Sequence, residues 1–307
     1  MSETILKIQE VSKSYGLKLA LKNVSINIKK GSIYGLIGQN GAGKTSLLRI
    51  LNQIIEADQG KILFKGLNMT SKSVKEIGYL PEERGLYKNM TIEEQALYFA
   101  QLKGMTKSKA LKQLNYWLDR FEILEWKKKK TQSLSKGMAQ KVQFMIAVIH
   151  QPDLLILDEP FSGFDPINAN LIAKEIKNLA QEGTTIIFSS HRMESVAEMC
   201  NDICLLHHGK IILEGSVEAL QKQHAKKKYE ATLSNISEVE WESFLSNPSY
   251  KTQWIQTKNK EMSLTTEETS NGADKLLEDL LKVGQVVSFT QHLPSLQDIF
   301  IKTIENE

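Results

Sequence analysis

The sequence predicts an α/β fold with a mixed, largely parallel sheet, followed by a smaller α+β domain, and three observations carry that expectation. Ser32–Ile37, Leu154–Leu157 and Thr184–Phe188 are mostly apolar runs of the kind buried on both faces of a parallel sheet. A helical stretch, about Ala169 to Gln181, separates the last two, and strand–helix–strand in this rhythm is a βαβ crossover. The composition then shifts at the polar, basic run Gln221–Lys228, as expected at a domain boundary in a chain of 307 residues.

Taken in order, Leu6–Val11 and Val24–Ile28 alternate apolar with polar residues and predict half-buried strands. Ser32–Ile37 predicts a buried strand that runs through a glycine-rich turn into the helix-forming Ser46–Leu51. Thr91 with Glu93 and Glu94 predicts an N-cap and an acidic first turn, opening a helical region with helices near 92–102, 107–120 and 137–150. Ile203–Leu206 and Lys210–Leu213 flank His207-His208-Gly209 and predict a hairpin. After the basic run, strand signals at Tyr229–Leu233, Thr252–Thr257, Glu261–Thr266 and Gln285–Thr290 alternate with helix signals at Glu238–Leu245 and Asn271–Val283. That order, β-α-β-β-α-β, is the ferredoxin-like arrangement, closed by an amphipathic piece from Pro294 to Ile304. The domains expected are 1–220, with a helical subdomain at about 88–150, a linker at 221–228, and an accessory α+β domain at 229–307.

Composition narrows the function classes. Thirty-nine Lys and Arg against thirty-six Asp and Glu leave a net charge of +3, so no nucleic-acid partner is expected. Two cysteines exclude a disulfide-stapled scaffold and fit a reducing compartment. The start, Met1–Thr4, lacks the basic and apolar regions of a secretion leader, and no apolar stretch approaches the length of a membrane span. Any role at a membrane is expected to come through a partner.

Gly38-Gln39-Asn40-Gly41-Ala42-Gly43-Lys44-Thr45 satisfies the phosphate-loop pattern G-x-x-x-x-G-K-[ST], with a buried strand before it and a helix from Ser46 after it. Such a loop aims backbone N–H groups at phosphate oxygens, and the helix N-terminus adds partial positive charge. Lys44 then supplies a mobile cation for the β- and γ-phosphates, and the Thr45 hydroxyl is a Mg²⁺ ligand. Asp158 and Glu159 follow the apolar strand Leu154–Leu157, and ligands of parallel sheets bind beyond the carboxyl ends of the strands. Asp158 is therefore expected to hold Mg²⁺ opposite Thr45, and Glu159 to poise a water as general base.

These motifs, with several others in order, make residues 1–220 resemble the nucleotide-binding subunit of an ABC transporter. Leu134-Ser135-Lys136-Gly137-Met138 resembles the signature usually written LSGGQ, Ser162-Gly163-Phe164-Asp165 resembles the D-loop, His191 matches the switch histidine, and Tyr15 matches the aromatic residue that stacks on adenine. The resemblance implies a P-loop NTPase of the ABC type, with a mixed sheet core and a helical subdomain, that binds ATP and Mg²⁺ and hydrolyses ATP. It implies further that Ser135, Lys136, Gly137 and Met138 serve the nucleotide of a second subunit, in a homodimer or heterodimer with two composite sites. Gly78–Tyr87 and Leu296–Phe300 resemble the ABC-2 export branch, whose ATPases pair with a separate multi-span permease. A cytoplasmic protein held peripherally on the inner face of the cell membrane is the location implied.

Three residues depart from the family pattern. Glu82 stands where Gln is usual; a carboxylate can bind Mg²⁺ but repels phosphate oxygens without it. Lys136 replaces a signature glycine and adds a cation within reach of the opposing nucleotide, while Met138 replaces the signature glutamine and removes an amide. Altered kinetics, with activity retained, are expected. Elsewhere, Lys127–Lys130 reads as a solvated turn in preference to an anion funnel. Cys200 and Cys204 near His207 and His208 have the wrong arrangement for zinc, because a helix end and a hairpin turn intervene.

Overall fold

The computed structural model describes residues 3–83, 85–258, 261–268 and 272–305. Met1 and Ser2 of the leader reading, Arg84 of the export-branch stretch and Asn271 of the expected helix start lie outside the described residues. The chain divides into two compact units, Met1–Val217 and Glu218–Glu307.

The first unit opens with a long hairpin, β1 (Thr4–Tyr15) and β2 (Lys18–Lys29). Both strands outrun the expected Leu6–Val11 and Val24–Ile28. Register shifts, with Glu10 and Asn23 at positive φ, break the strict alternation that single-strand periodicity relies on. Next come β3 (Ile33–Ile37), α1 (Lys44–Leu51), β4 (Gln59–Phe64), the short β5 (Leu67–Asn68) and β6 (Ile77–Leu80). The helical region holds α2 (Ile92–Leu102), α3 (Lys107–Arg120) and α4 (Lys136–Val148), followed by β7 (Leu154–Asp158) and α5 (Pro166–Gln181). The unit continues with β8 (Thr185–Ser190), α6 (Met193–Met199), β9 (Asp202–His207) and β10 (Lys210–Ser216).

Two sheets organise these elements. One is antiparallel in the order β2-β1-β4-β5; the other runs β10-β9-β3-β8-β7-β6. All neighbours in the larger sheet pair in parallel except the β9–β10 hairpin at its edge. Every residue of β3, β7 and β8 is buried, which is why their sequences carry no polar alternation. Because β8 lies between β3 and β7, the residues that follow all three strands are delivered to one edge of the sheet.

Helix boundaries follow their caps. Thr91 and Glu94 form a reciprocal capping box at α2, and the Ser135 hydroxyl accepts from Met138 N–H at α4. The helix expected from Ala169 begins three residues earlier, because Asp165 caps it and Pro166 supplies a preset φ at its first position. The lysine run packs against the start of α2: Ile92 and Glu93 N–H donate to the carbonyls of Lys129 and Lys127 at 3.1 and 3.0 Å. Glu93 also pairs with Lys128 and, at 3.6 Å, with Lys127. At its other end α2 is fastened by Lys103, whose ammonium donates to the carbonyls of Val74 and Ile77 at 2.6 and 2.7 Å; burial lowers its pKa to about 8.

The second unit contains α7 (Val217–Gln223, its first residue closing the first unit), β11 (Lys228–Ser234), α8 (Glu238–Leu245), β12 (Tyr250–Lys258), β13 (Glu261–Glu268), α9 (Ala273–Val283), β14 (Gln285–Gln291) and α10 (Leu296–Glu305). The stretch 221–228, expected as a linker, is helical to Gln223 and joins the sheet at Lys228; its polar composition marks an exposed helix end. The antiparallel order β12-β13-β11-β14, with one helix after β11 and one after β13, is the ferredoxin-like topology. Its core gathers Tyr229, Ala231 and Leu233 of β11 with Phe244, Leu264, Leu276 and Leu280. No helix among the described residues is long and apolar enough to cross a membrane.

Candidate functional site

The loop between β3 and α1 is shaped by its glycines, most plainly by Gly43. Its φ of +114° is left-handed, and a Cβ there would collide with the Ala20 carbonyl and the Leu21 side chain. Ala42 is 5% exposed, and Gly38 is likewise buried. Gln39, Asn40, Gly41, Gly43, Lys44, Thr45 and Ser46 line a cavity of about 270 Å³ together with Tyr15, Lys18, Glu82, Asp158, Glu159 and His191. Nearly every residue expected to bind nucleotide or metal therefore meets in one place, although they span 177 positions from Tyr15 (15) to His191 (191), counted inclusively.

Lys44 Nζ donates to the carbonyl of Gly38 at 2.5 Å and to that of Gln39 at 3.2 Å, so the ammonium sits at the mouth of the loop. Burial lowers its pKa, opposed by the charges of Glu159, Asp158 and Glu82. Asp158, at the end of β7, is 4% exposed. Burial raises its pKa, and the charges of Glu82 and Glu159 push the same way against that of Lys44. A site that concentrates carboxylates around one lysine favours an added cation.

The donors suit magnesium. Glu82, Asp158 and the Thr45 hydroxyl are hard oxygen donors lining the same cavity, and Mg²⁺ characteristically takes one or two carboxylates and leaves other positions to phosphate and water. No group of three or more His, Cys, Asp or Glu among the described residues is arranged to hold a metal by itself. Cys200 and Cys204 are buried, and burial pushes both thiols up in pKa.

Glu159 has a φ of +50°, rare for a residue with a side chain, and contacts on both sides hold it there. Its N–H donates to the Ser189 carbonyl at 3.0 Å and the Ser190 hydroxyl donates to Oε2 at 3.2 Å. His191 Nδ1 lies 2.7 Å from Oε1. Ser190 escapes a motif-based reading, although its place immediately before His191 on a buried strand was the available signal. Tyr15 ends β1 with its ring 46% exposed at the cavity and Lys13 Nζ 5.8 Å from its centre.

The remaining motif residues lie apart from this cavity. Ser135, Gly137 and Met138 open α4 and do not line it. Asp165 is engaged as a helix cap, accepting from Asn168 N–H at 3.0 Å and from its side-chain amide at 2.5 Å, and these bonds lower its pKa. Lys136 lines an adjoining cavity of about 440 Å³ with Glu82, Glu83, Gln140, Asp158, Glu159 and Ser162 of its own chain. None of Lys127–Lys130 lines either cavity.

Comparison with known proteins bears on this geometry directly. An ABC transporter family profile matches residues 21–162, and a profile described as the C-terminal domain of DrrA1-3-like ATP-binding proteins matches residues 215–304. YhaQ, an ABC transporter ATP-binding protein of Bacillus subtilis (strain 168), is 38% identical over 301 residues, 98% of each chain. The chain belongs to the ABC transporter ATP-binding protein family. BcrA, the bacitracin transport ATP-binding protein of Bacillus licheniformis, is 34% identical over 227 residues, 73% of each chain. Among solved structures, the ATP-binding subunit of an ABC transporter superposes with a TM-score of 0.68 at 27% identity, covering 72% of this chain and 93% of its own. As an ABC ATP-binding protein the chain is an ATPase, of a family whose subunits dimerise and pair with membrane permeases.

Proposed function

We propose that this ABC ATPase binds ATP with Mg²⁺ in the 38–46 cavity and hydrolyses it as one half of a head-to-tail pair that drives a separate export permease. The observation that supports this best is the Glu159–His191 contact at 2.7 Å in the same cavity that Lys44 and Thr45 line. A triphosphate seated on the loop N–H groups and Lys44 brings its γ-phosphate towards that pair. Tyr15 stacks on the adenine. Thr45, Asp158 and Glu82 would hold Mg²⁺, which neutralises charge on the β- and γ-phosphate oxygens.

Glu159 then accepts the proton of an attacking water. The bond to His191 holds Oε1 and Ser190 holds Oε2, so the carboxylate is fixed in a residue that lines the cavity. His191 remains 57% exposed, free to donate its other ring nitrogen to a phosphate oxygen. Ser135, Gly137 and Met138, with the backbone of Lys136, serve the second copy's nucleotide: the start of α4 offers N–H groups to an anion, and these residues do not line the chain's own nucleotide cavity.

Export is supported by the Gly78–Tyr87 and Leu296–Phe300 stretches and by relatives named for linearmycin resistance and for bacitracin transport. Attachment to the cytoplasmic face of the membrane would come through the permease, and the 229–307 region serves docking or pairing in preference to effector sensing. Light scattering and phosphate release on the purified chain test the core of this reading. ATP with magnesium is expected to support turnover, and ATP is expected to double the mass of the Glu159→Gln chain; a chain that does neither overturns it.

A further inference from the structure

Lys136 and Gln140 stand one helical turn apart on α4, and both side chains reach the same turn of the same chain, Ser162–Gly163. Gln140 Nε2 donates to the Ser162 carbonyl. The Lys136 stem lies over Gly163 so closely that a Cβ on that glycine would collide with Lys136 Cε and Nζ. Gly163 has a φ of +80°, so the turn needs glycine for its backbone as well as for this approach. The lysine is also the cation among the residues lining the cavity of about 440 Å³, facing Glu82, Glu83, Asp158 and Glu159.

We propose that Lys136 and Gln140 clasp the Ser162–Gly163 turn of their own chain in the open subunit, and that this contact opposes ATP-driven pairing until it is released. The inference rests on the paired-subunit reading, in which the start of α4 serves a second copy. Lys136 cannot follow its own acidic cavity and a partner's phosphates at once. Three of the carboxylates it faces, Glu82, Asp158 and Glu159, also line the nucleotide cavity. Nucleotide seated there therefore changes the charge that the lysine faces. Gln140 Oε1 is buried with no hydrogen-bond partner among the described residues, a standing cost of the clasped arrangement that favours letting go.

The test is an ATP titration of pairing in the Glu159→Gln chain, read by sedimentation, with Lys136→Ala or Gln140→Ala added. Each is expected to lower the ATP midpoint roughly two- to fivefold, about the worth of one ordinary hydrogen bond, and the two together are expected to give less than the product. A raised midpoint for Lys136→Ala would show the lysine acting across the interface and overturn the clasp, as would no change for either. Amide hydrogen exchange at 161–164 in the nucleotide-free chain reads the same contact without pairing. Faster exchange in Lys136→Ala is expected, and unchanged exchange overturns the clasp. Should the Glu159→Gln chain never pair, the paired-subunit reading fails alone, and exchange still decides whether the contact exists.

Discussion

His191 Nδ1 lies 2.7 Å from Glu159 Oε1 while the Ser190 hydroxyl holds the other carboxylate oxygen at 3.2 Å, so both oxygens of a residue at positive φ are anchored from β8 and the position just after it. A base aimed in this way should fail through chemistry and leave binding intact. Glu159→Gln is expected to lower turnover by about 10²–10⁴-fold, the usual worth of a positioned base, while ATP binding measured by calorimetry persists. His191→Ala leaves the carboxylate present but less directed, and a smaller fall in kcat is expected. Normal phosphate release from the Glu159→Gln chain would remove Glu159 from the base role.

Tyr15 offers a ring that is only half covered, so its contribution should be modest and confined to binding. Tyr15→Ala is expected to raise KM for ATP roughly five- to tenfold, the lower end of base–aromatic stacking, with kcat nearly unchanged. Tyr15→Phe should restore the original KM, because the stack uses the ring face. A fall in kcat with constant KM would contradict the adenine assignment.

The parts of the first unit were not equally legible in the sequence. Gly38–Thr45, Asp158 and Glu159 could be read because loop chemistry and strand ends impose fixed residue types at fixed spacing. The hydrophobic runs of β3, β7 and β8 could be read because both their faces are buried. By contrast, the full length of β1 and β2 was hidden by bulges at Glu10 and Asn23, which reset the alternation. The start of α5 was missed although Asp165 followed by Pro166 is a start signal, because the motif resemblance of Asp165 masked its capping role. What no single-chain pattern could disclose is where long side chains lie. Lys136 looked free to reach a partner, yet its stem rests on Gly163.

Arg120 and Glu175 join α3 to α5 by a short ion pair, with the glutamate side chain 5% exposed and the arginine side chain 33% exposed. Glu175 is the dominant cause of the raised Arg120 pKa. Removing the arginine leaves a buried carboxylate without its cation, which is costlier than losing the pair together. Arg120→Ala is expected to destabilise the first unit by about 1–3 kcal/mol, below the range for fully buried pairs because solvent reaches the arginine. The double variant Arg120→Ala with Glu175→Ala should recover part of that loss. Thermal denaturation of all three chains checks it, and a double variant no better than Arg120→Ala would mean that the pair's charge is not what matters.

His150, just beyond the end of α4, gives the cassette an acid-sensitive point. Its Nε2 contacts the Ile77 carbonyl at 3.2 Å, and its buried Nδ1 has no partner among the described residues. Burial lowers its pKa from 6.5 to about 4; the charge of Lys103 pushes in the same direction and the Ile77 carbonyl pulls weakly back. Between those two values the unfolded chain holds the proton and the folded chain does not, so unfolding takes up a proton and stability rises with pH. The contribution is complete above about pH 6.5, declines as the pH falls through the window, and is lost below about 4. The expected loss is about 1–3 kcal/mol, since each pKa unit corresponds to about 1.4 kcal/mol and the ring keeps some solvent contact. His150→Gln retains an amide able to donate to Ile77 but cannot titrate. Its melting temperature should therefore fall less than that of the parent chain between pH 7.5 and pH 5. Equal falls would show that the acid sensitivity of the cassette arises from its carboxylates instead.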